Sequence, residues 1–268
     1  MNAILNALCR RLEYAQATQN EAVAHALANT QPESGARCTR LKGGYVLWLG
    51  PGHMLNQAIA LGLEEPFLDA DLAFLEAELG QGGHPVMLEL SPGADADLPG
   101  ILARRGFRIQ AFQQVWMRSL EHPVEVESTK GMEIRIIRPE EAQLFAQVVT
   151  AGFMGLDEVA PESAEGFLPT TTAKGTFCML ALLDGIPAAA GTVAISGGVA
   201  VLSGTSVLPR FRGQGLQRAM IAARLALGRE RGCTLATSAT LPGTASQANL
   251  ERMGFRVAYP KVEMVKSS

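Results

Sequence analysis

The residues best suited to chemistry lie in one run, Val207-Leu208-Pro209-Arg210-Phe211-Arg212-Gly213-Gln214-Gly215-Leu216-Gln217-Arg218. A strand-like segment from Val199 to Leu208 leads into it. An amphipathic stretch from Gly215 to Arg231 leaves it, with Leu216, Ala219, Met220, Ala223 and Leu227 on one stripe. The turn from such a strand into such a helix presents unpaired backbone N–H groups at the positive end of a helix dipole. Glycines at 213 and 215 remove the Cβ atoms that would hold a phosphate off, and Arg210 and Arg212 add permanent positive charge. The chemistry implied is the binding of an anion, a phosphate above all.

Three kinds of phosphate site use such turns. A P-loop needs Lys-Ser or Lys-Thr after its glycines, and Leu216-Gln217 stands there instead. A dinucleotide fold wants a third glycine, where this chain has Arg218. A coenzyme A pyrophosphate remains. Here the sequence resembles the GNAT superfamily of acyl-CoA-dependent N-acetyltransferases, whose signature is a strand ending Val-x-Pro-x-x-Arg-Gly-x-Gly before a long helix. Val207, Pro209, Arg212, Gly213 and Gly215 match it in order, and Gln217 stands where the family's core ends in Gly or Ala. Arg210-x-x-Gly213-x-Gly215 also satisfies the short pattern, but only the Arg212 frame accounts for Val207 and Pro209.

The resemblance implies acetyl-CoA as acyl donor, a primary amine of a small molecule as acceptor, and direct transfer between them. It implies that the strand backbone at Thr205, Val207 and Leu208 pairs with the pantetheine arm. The turn Arg212, Gly213, Gln214, Gly215, Leu216 and Gln217 then holds the pyrophosphate, and Ser246 and Asn249 are further contacts to the arm. The family often takes a base from a carboxylate on the motif strand and an acid from a tyrosine four residues before a Gly-Phe. Val199 to Val207 has no carboxylate, and Leu250 holds the tyrosine position before Gly254-Phe255. Tyr259 is the substitute expected as acid; Ser203, Ser206, Asp157, Glu158 and Glu162 are further candidates. Missing acid and base also leave open a second class, a non-catalytic acyl-CoA-binding sensor or interaction module.

The elements around the motif must position it. Glu133 to Arg138 alternates as a strand, and Pro139-Glu140-Glu141 opens a helix. Thr176 to Leu183 and Pro187 to Ser196 pair around Asp184-Gly185, and the motif strand follows Gly197-Gly198. After the long helix come a strand from Cys233, a helix from about Thr244 to Met253 and a last strand from Phe255 to Val265. This order gives an α/β fold, a mixed central sheet flanked by helices. Near the middle of the chain, Leu102-Ala103-Arg104-Arg105-Gly106-Phe107 resembles Leu250-Glu251-Arg252-Met253-Gly254-Phe255. Two tandem copies follow: 1–121 degenerate, 122–131 a linker, and 132–268 the cofactor-binding copy. In the first copy the phosphate turn falls at Pro66 to Asp71, where Asp69 and Asp71 suit a helix start and repel phosphate.

Bulk properties agree with this reading. The chain of 268 residues is 47% hydrophobic and carries a net charge of −3, so it can bury two cores and nothing calls for nucleic acid or an anionic membrane. Cys9, Cys38, Cys178 and Cys233 make no Cys-x-x-Cys pair, the histidines are scattered, and no metal is expected. Ile4, Leu5, Leu8 and Leu12 mark a helix face rather than a signal peptide, which makes a cytoplasmic protein the expectation. The sequence does not choose an oligomeric state.

Overall fold

The computed structural model describes residues 3–124 and 130–267; most of the expected linker's centre, 125–129, lies outside them. The first half runs α1 (Ala3–Thr30), β1 (Arg37–Leu41), β2 (Gly44–Trp48), β3 (Gln57–Ile59), α2 (Asp69–Leu79), β4 (Val86–Leu90), α3 (Leu98–Arg104) and β5 (Arg108–Ser119). The second runs β6 (Met132–Ile136), α4 (Ala142–Met154), α5 (Leu168–Thr172), β7 (Thr176–Leu183), β8 (Ile186–Ser196), β9 (Val199–Val207), α6 (Leu216–Glu230), β10 (Leu235–Thr240), α7 (Ala245–Arg252) and β11 (Arg256–Lys266). No helix among the described residues is long and apolar enough to cross a membrane.

The two copies end on the same turn. The N–H of Phe107 bonds to the Leu102 carbonyl at 3.0 Å, and that of Phe255 to the Leu250 carbonyl at 3.0 Å. Gly106 and Gly254 take φ of 84° and 74°, the left-handed conformation that closes a helix in this way. Both phenylalanines are buried. The repeat seen in sequence is therefore a repeated helix stop that feeds a strand.

The chain nevertheless divides into two compact units that are not its two halves. One holds the residues up to Trp116 together with Ala239–Thr244 and everything from Val257 on; the other holds Met117–Ser238 and Ala245–Arg256. A cut near residue 121 misses this, because β11 leaves the half that encodes it. In the first unit the strand order is β1-β2-β3-β4-β11-β5. β11 runs antiparallel to β4, from Val262 opposite Leu90 to Lys266 opposite Val86, and Met264 joins a core of Trp48, Phe67, Leu75, Leu88 and Phe107.

β11 also delivers a buried polar cluster to that unit. Lys261 Nζ lies 2.5 Å from Glu89 and 3.9 Å from Glu13, and it donates to Gln16 Oε1 at 3.0 Å. Tyr259 donates to Glu13 at 2.8 Å. Burial alone would discharge the lysine, but the carboxylates of Glu13 and Glu89 hold its pKa up, while burial raises that of Glu13. α1 thus turns Cys9, Leu12, Glu13 and Asn20 inward, and Ile4, expected on its apolar face, is exposed.

The second unit has the order β10-β9-β8-β7-β6, parallel between β10 and β9 and antiparallel elsewhere. Phe145 and Val149 of α4 pack on Leu180 and Leu208 in its core. Entry to α4 is fixed by Glu141, which takes both guanidinium arms of Arg135 at 2.6 and 2.7 Å and the N–H of Arg138 at 2.8 Å. Those bonds, Arg135 foremost, lower the Glu141 pKa from 4.5 to about 2. A carboxyl depressed on folding stabilises the protein above its unfolded pKa and loses that contribution as pH falls through the folded one. The stability of the wild type is therefore expected to fall between 4.5 and about 2 more steeply than that of Glu141→Gln, read from urea melts at several pH values.

Candidate functional site

The glycine turn singled out in the sequence lies in the second unit. β9 ends at Val207, a single helical turn spans Pro209–Phe211, and α6 starts at Leu216 with Gly215 as N-cap. Gly213 and Gly215 both take left-handed φ, 79° and 80°, and a Cβ on Gly213 would meet open space. No side chain among the described residues caps α6. Among the described residues, no backbone acceptor takes the N–H groups from Gly213 to Arg218; the first bond of the helix runs from Ala219 to Gly215.

Charge placement marks the same end. The first turn of α6 contains no acid and carries the exposed Arg218, which is unfavourable against a helix dipole unless an anion arrives. The equivalent helix of the first copy, α2, begins with Asp69 and Asp71, and Asp71 accepts the Leu68 N–H at 2.8 Å. One helix start is filled by its own carboxylate; the other is left open.

The motif arginines are used differently from what sequence suggests. Arg212 turns back, donating to the Gly152 carbonyl at 3.1 Å and the Val207 carbonyl at 3.3 Å, so it ties the end of α4 to the end of β9. Arg210 reaches Glu158 at 3.7 Å and lies 5.1 Å from the Phe211 ring, while its N–H bonds to Asp157. The polar groups that the turn leaves open are thus chiefly backbone.

Beside the turn, β9 and β10 part. Their register runs Leu235 opposite Val199, Ala236 opposite Ala200, and Thr237 opposite Val201. Beyond it the Ser238 hydroxyl bonds to the Leu202 carbonyl at 2.9 Å, and among the described residues the rest of β9, including Thr205 and Val207, has no strand partner on that side. On its other side β9 carries a bulge that the sequence reading missed. Ala190 faces Ser206 and Thr192 faces Ser203, leaving Gly204 and Thr205 together opposite Gly191. Gly204 takes φ of 56°, and a glycine inside an otherwise apolar strand was the available signal.

A buried guanidinium lies under that bulge. Arg224 is 2% exposed and donates to the carbonyls of Met220 at 3.0 Å, Thr192 at 3.2 Å and Ser203 at 3.4 Å. Burial pulls its pKa down to about 9, which leaves it cationic at neutral pH. Its spacing from Met220 and Leu227 places it on the buried stripe of α6, so the break in that stripe announced it.

The remaining candidates divide. Ser246 is exposed and Asn249 half-buried on α7 of this unit, Asn249 accepting a 3.4 Å bond from Arg252. Ser206 faces α4, donating to the carbonyls of Val148 and Val149 at 3.1 Å each, and the Ser203 hydroxyl pairs with Thr192 at 2.8 Å. Leu250, at the tyrosine position, is buried. Tyr259 lies on β11 in the first unit, 3% exposed and donating to Glu13, with burial pushing its pKa far up.

Comparison with known proteins agrees with this geometry. Residues 151–255 match the acetyltransferase (GNAT) family. No curated protein matches the chain. Among solved structures, a GCN5-related N-acetyltransferase from Kribbella flavida superposes with a TM-score of 0.60 at 21% identity, over 92% of this chain and 96% of that one. A tandem GNAT protein from the clavulanic acid biosynthesis pathway gives 0.59 at 16%, over 84% and 78%. An acetyltransferase of the GNAT family from Novosphingobium aromaticivorans gives 0.56 at 18%, over 94% and 99%. The open helix start and the parting strands lie inside the matched segment, and the chain has the fold of these GNAT structures, a tandem one among them.

Proposed function

We propose that the second unit is an acetyl-CoA-dependent N-acetyltransferase that acts on a primary amine of a small molecule by direct transfer. The observation that carries this reading is the parting of β9 from β10 after the pair Thr237 and Val201, beside an α6 start whose N–H groups have no backbone acceptor among the described residues. A pantetheine arm can take up the free edge of β9 at Thr205 to Leu208, and a diphosphate the N–H groups of Gly213 to Arg218. Ser246 and Asn249 are then on the helix beyond the gap. The bound donor supplies an activated thioester. The chain's part is to bind, to exclude water and to hold the amine within attack distance, which by proximity contributes several kcal/mol at least.

A second reading has a specific observation behind it. β9 has no carboxylate, Leu250 is buried where a tyrosine would stand, and Tyr259 is engaged in the other unit. A chain that binds acyl-CoA and only senses it would look the same at the turn. Incubation with acetyl-CoA and a panel of amines, amino acids, polyamines and aminoglycosides, with free thiol followed, separates the two. Thiol release that depends on an amine supports the transferase; acetyl-CoA binding without release on any of them supports the sensor.

A further inference from the structure

Arg224 is an expensive residue to keep. A guanidinium taken out of water costs several kcal/mol unless a carboxylate compensates it. Among the described residues no carboxylate lies within ion-pair distance; its partners are the neutral carbonyls of Met220, Thr192 and Ser203. Two of those carbonyls flank the bulge. Thr192 sits opposite Ser203, the last paired residue before Gly204 and Thr205. The Ser203 carbonyl is gripped further by the Thr192 hydroxyl at 2.9 Å and the Thr205 hydroxyl at 3.3 Å. The far side of Gly191 is equally tight, since a Cβ there would lie 3.0 Å from Thr205 Oγ1 and 3.2 Å from Met220 Cε.

This arrangement does two things at once. It turns the carbonyl of Ser203 inward, toward α6, and so fixes Gly204 and Thr205 as two residues opposite Gly191 on β9. It also sets a positive charge beneath the strand edge that the proposed function gives to the pantetheine arm. In the transfer, the amine nitrogen bonds to the thioester carbon and the C–S bond breaks. The electron pair of that bond goes to sulfur, and the proton lost by the amine goes to the thiolate or to solvent. With no tyrosine to hand sulfur a proton, a leaving thiolate needs another source of stabilisation, and a cation in a low-dielectric interior acts strongly over short distances.

We propose that Arg224 is a positioning residue for acyl transfer, holding the β9 bulge and lowering the basicity of the departing thiolate by its uncompensated charge. The proposal rests on the N-acetyltransferase reading. Its test therefore includes readouts that do not need turnover. The thiol pKa of CoA bound to the protein, followed by thiolate absorbance, is expected about one unit below that of free CoA in the wild type. In Arg224→Met it returns toward the free value, while CoA affinity stays within about threefold. Arg224→Lys keeps the charge but not the fork, so its bound thiol stays low.

Amide exchange at Gly204 and Thr205 in the unliganded protein reports the other role. It is expected to rise about tenfold in both variants, since neither can hold the Thr192 and Ser203 carbonyls together. Should Arg224→Met fail to fold, Arg224→Lys decides alone: a bound thiol as basic as in free CoA overturns the proposal. So does an unchanged thiol pKa in Arg224→Met, or unchanged exchange in either variant. A wild type that binds no CoA would instead overturn the functional reading beneath it.

Discussion

Lys261→Met is expected to destabilise the protein by about 3–5 kcal/mol, because it leaves two buried carboxylates facing each other without their cation. Lys261 is 1% exposed, and Glu13 and Glu89 are 2% and 5% exposed, so water cannot take its place. The loss corresponds to a drop of Tm on the order of 10 °C for a chain of this size. It also reports on chain topology. Lys261 is encoded at the end of the second copy, while both carboxylates come from the first, on α1 and β4. If β11 stayed with its own half, the substitution would touch neither. Tyr259→Phe removes one bond to the same Glu13 and should cost about 1–3 kcal/mol, with turnover unchanged. Thermal melts with and without a compensating Glu89→Leu check the account; a Tm within a few degrees of wild type for Lys261→Met would remove the exchanged strand from it.

Gln217→Glu is expected to separate folding from cofactor binding. Residue 217 lies in the first turn of α6, where a carboxylate stabilises the helix by about 0.3–1 kcal/mol. The same carboxylate would compete for the open N–H groups and repel a diphosphate. At an effective dielectric near 20 and a separation of about 5 Å, that repulsion is roughly 3 kcal/mol before solvent screening, so a loss of about 10- to 100-fold in acetyl-CoA affinity should be measured. Calorimetry and an unliganded melt on the same sample give both numbers. Reduced affinity together with a lowered Tm would mean that the helix start had been damaged rather than closed, and unchanged affinity would move the diphosphate elsewhere. Asp71 in the first copy is the natural version of this substitution.

Local physics made much of this legible in the sequence. Asp184-Gly185 and Gly197-Gly198 have four left-handed residues between them, which only turn-forming residues accept, and the hairpins of β7, β8 and β9 follow. Gly213 and Gly215 announced the open turn, and the two Gly-Phe endings announced the repeat. What stayed hidden depends on pairing between distant segments. The alternation of β11 reads the same whether it joins β4 or β10, so its departure from its own half left no mark in the pattern. Glu13, Glu89 and Lys261 are charged residues in segments that otherwise read as helix or strand, and only their mutual approach explains their burial. Arg224 lies between: it interrupts an apolar stripe, but nothing local says that a bulge waits beneath it. The exchange also rules out a simple dissection, since a fragment ending at residue 121 would lack Lys261 and Met264 from its core.

The central claim is one cofactor site per chain, at the open start of α6. Calorimetric titration of the full-length protein with acetyl-CoA tests it most directly. One equivalent should bind per chain, and the same titration of Gln217→Glu should show that single site weakened. Two equivalents would mean that Asp69 and Asp71 do not close the first copy, and no binding, or a single site indifferent to residue 217, would contradict the account.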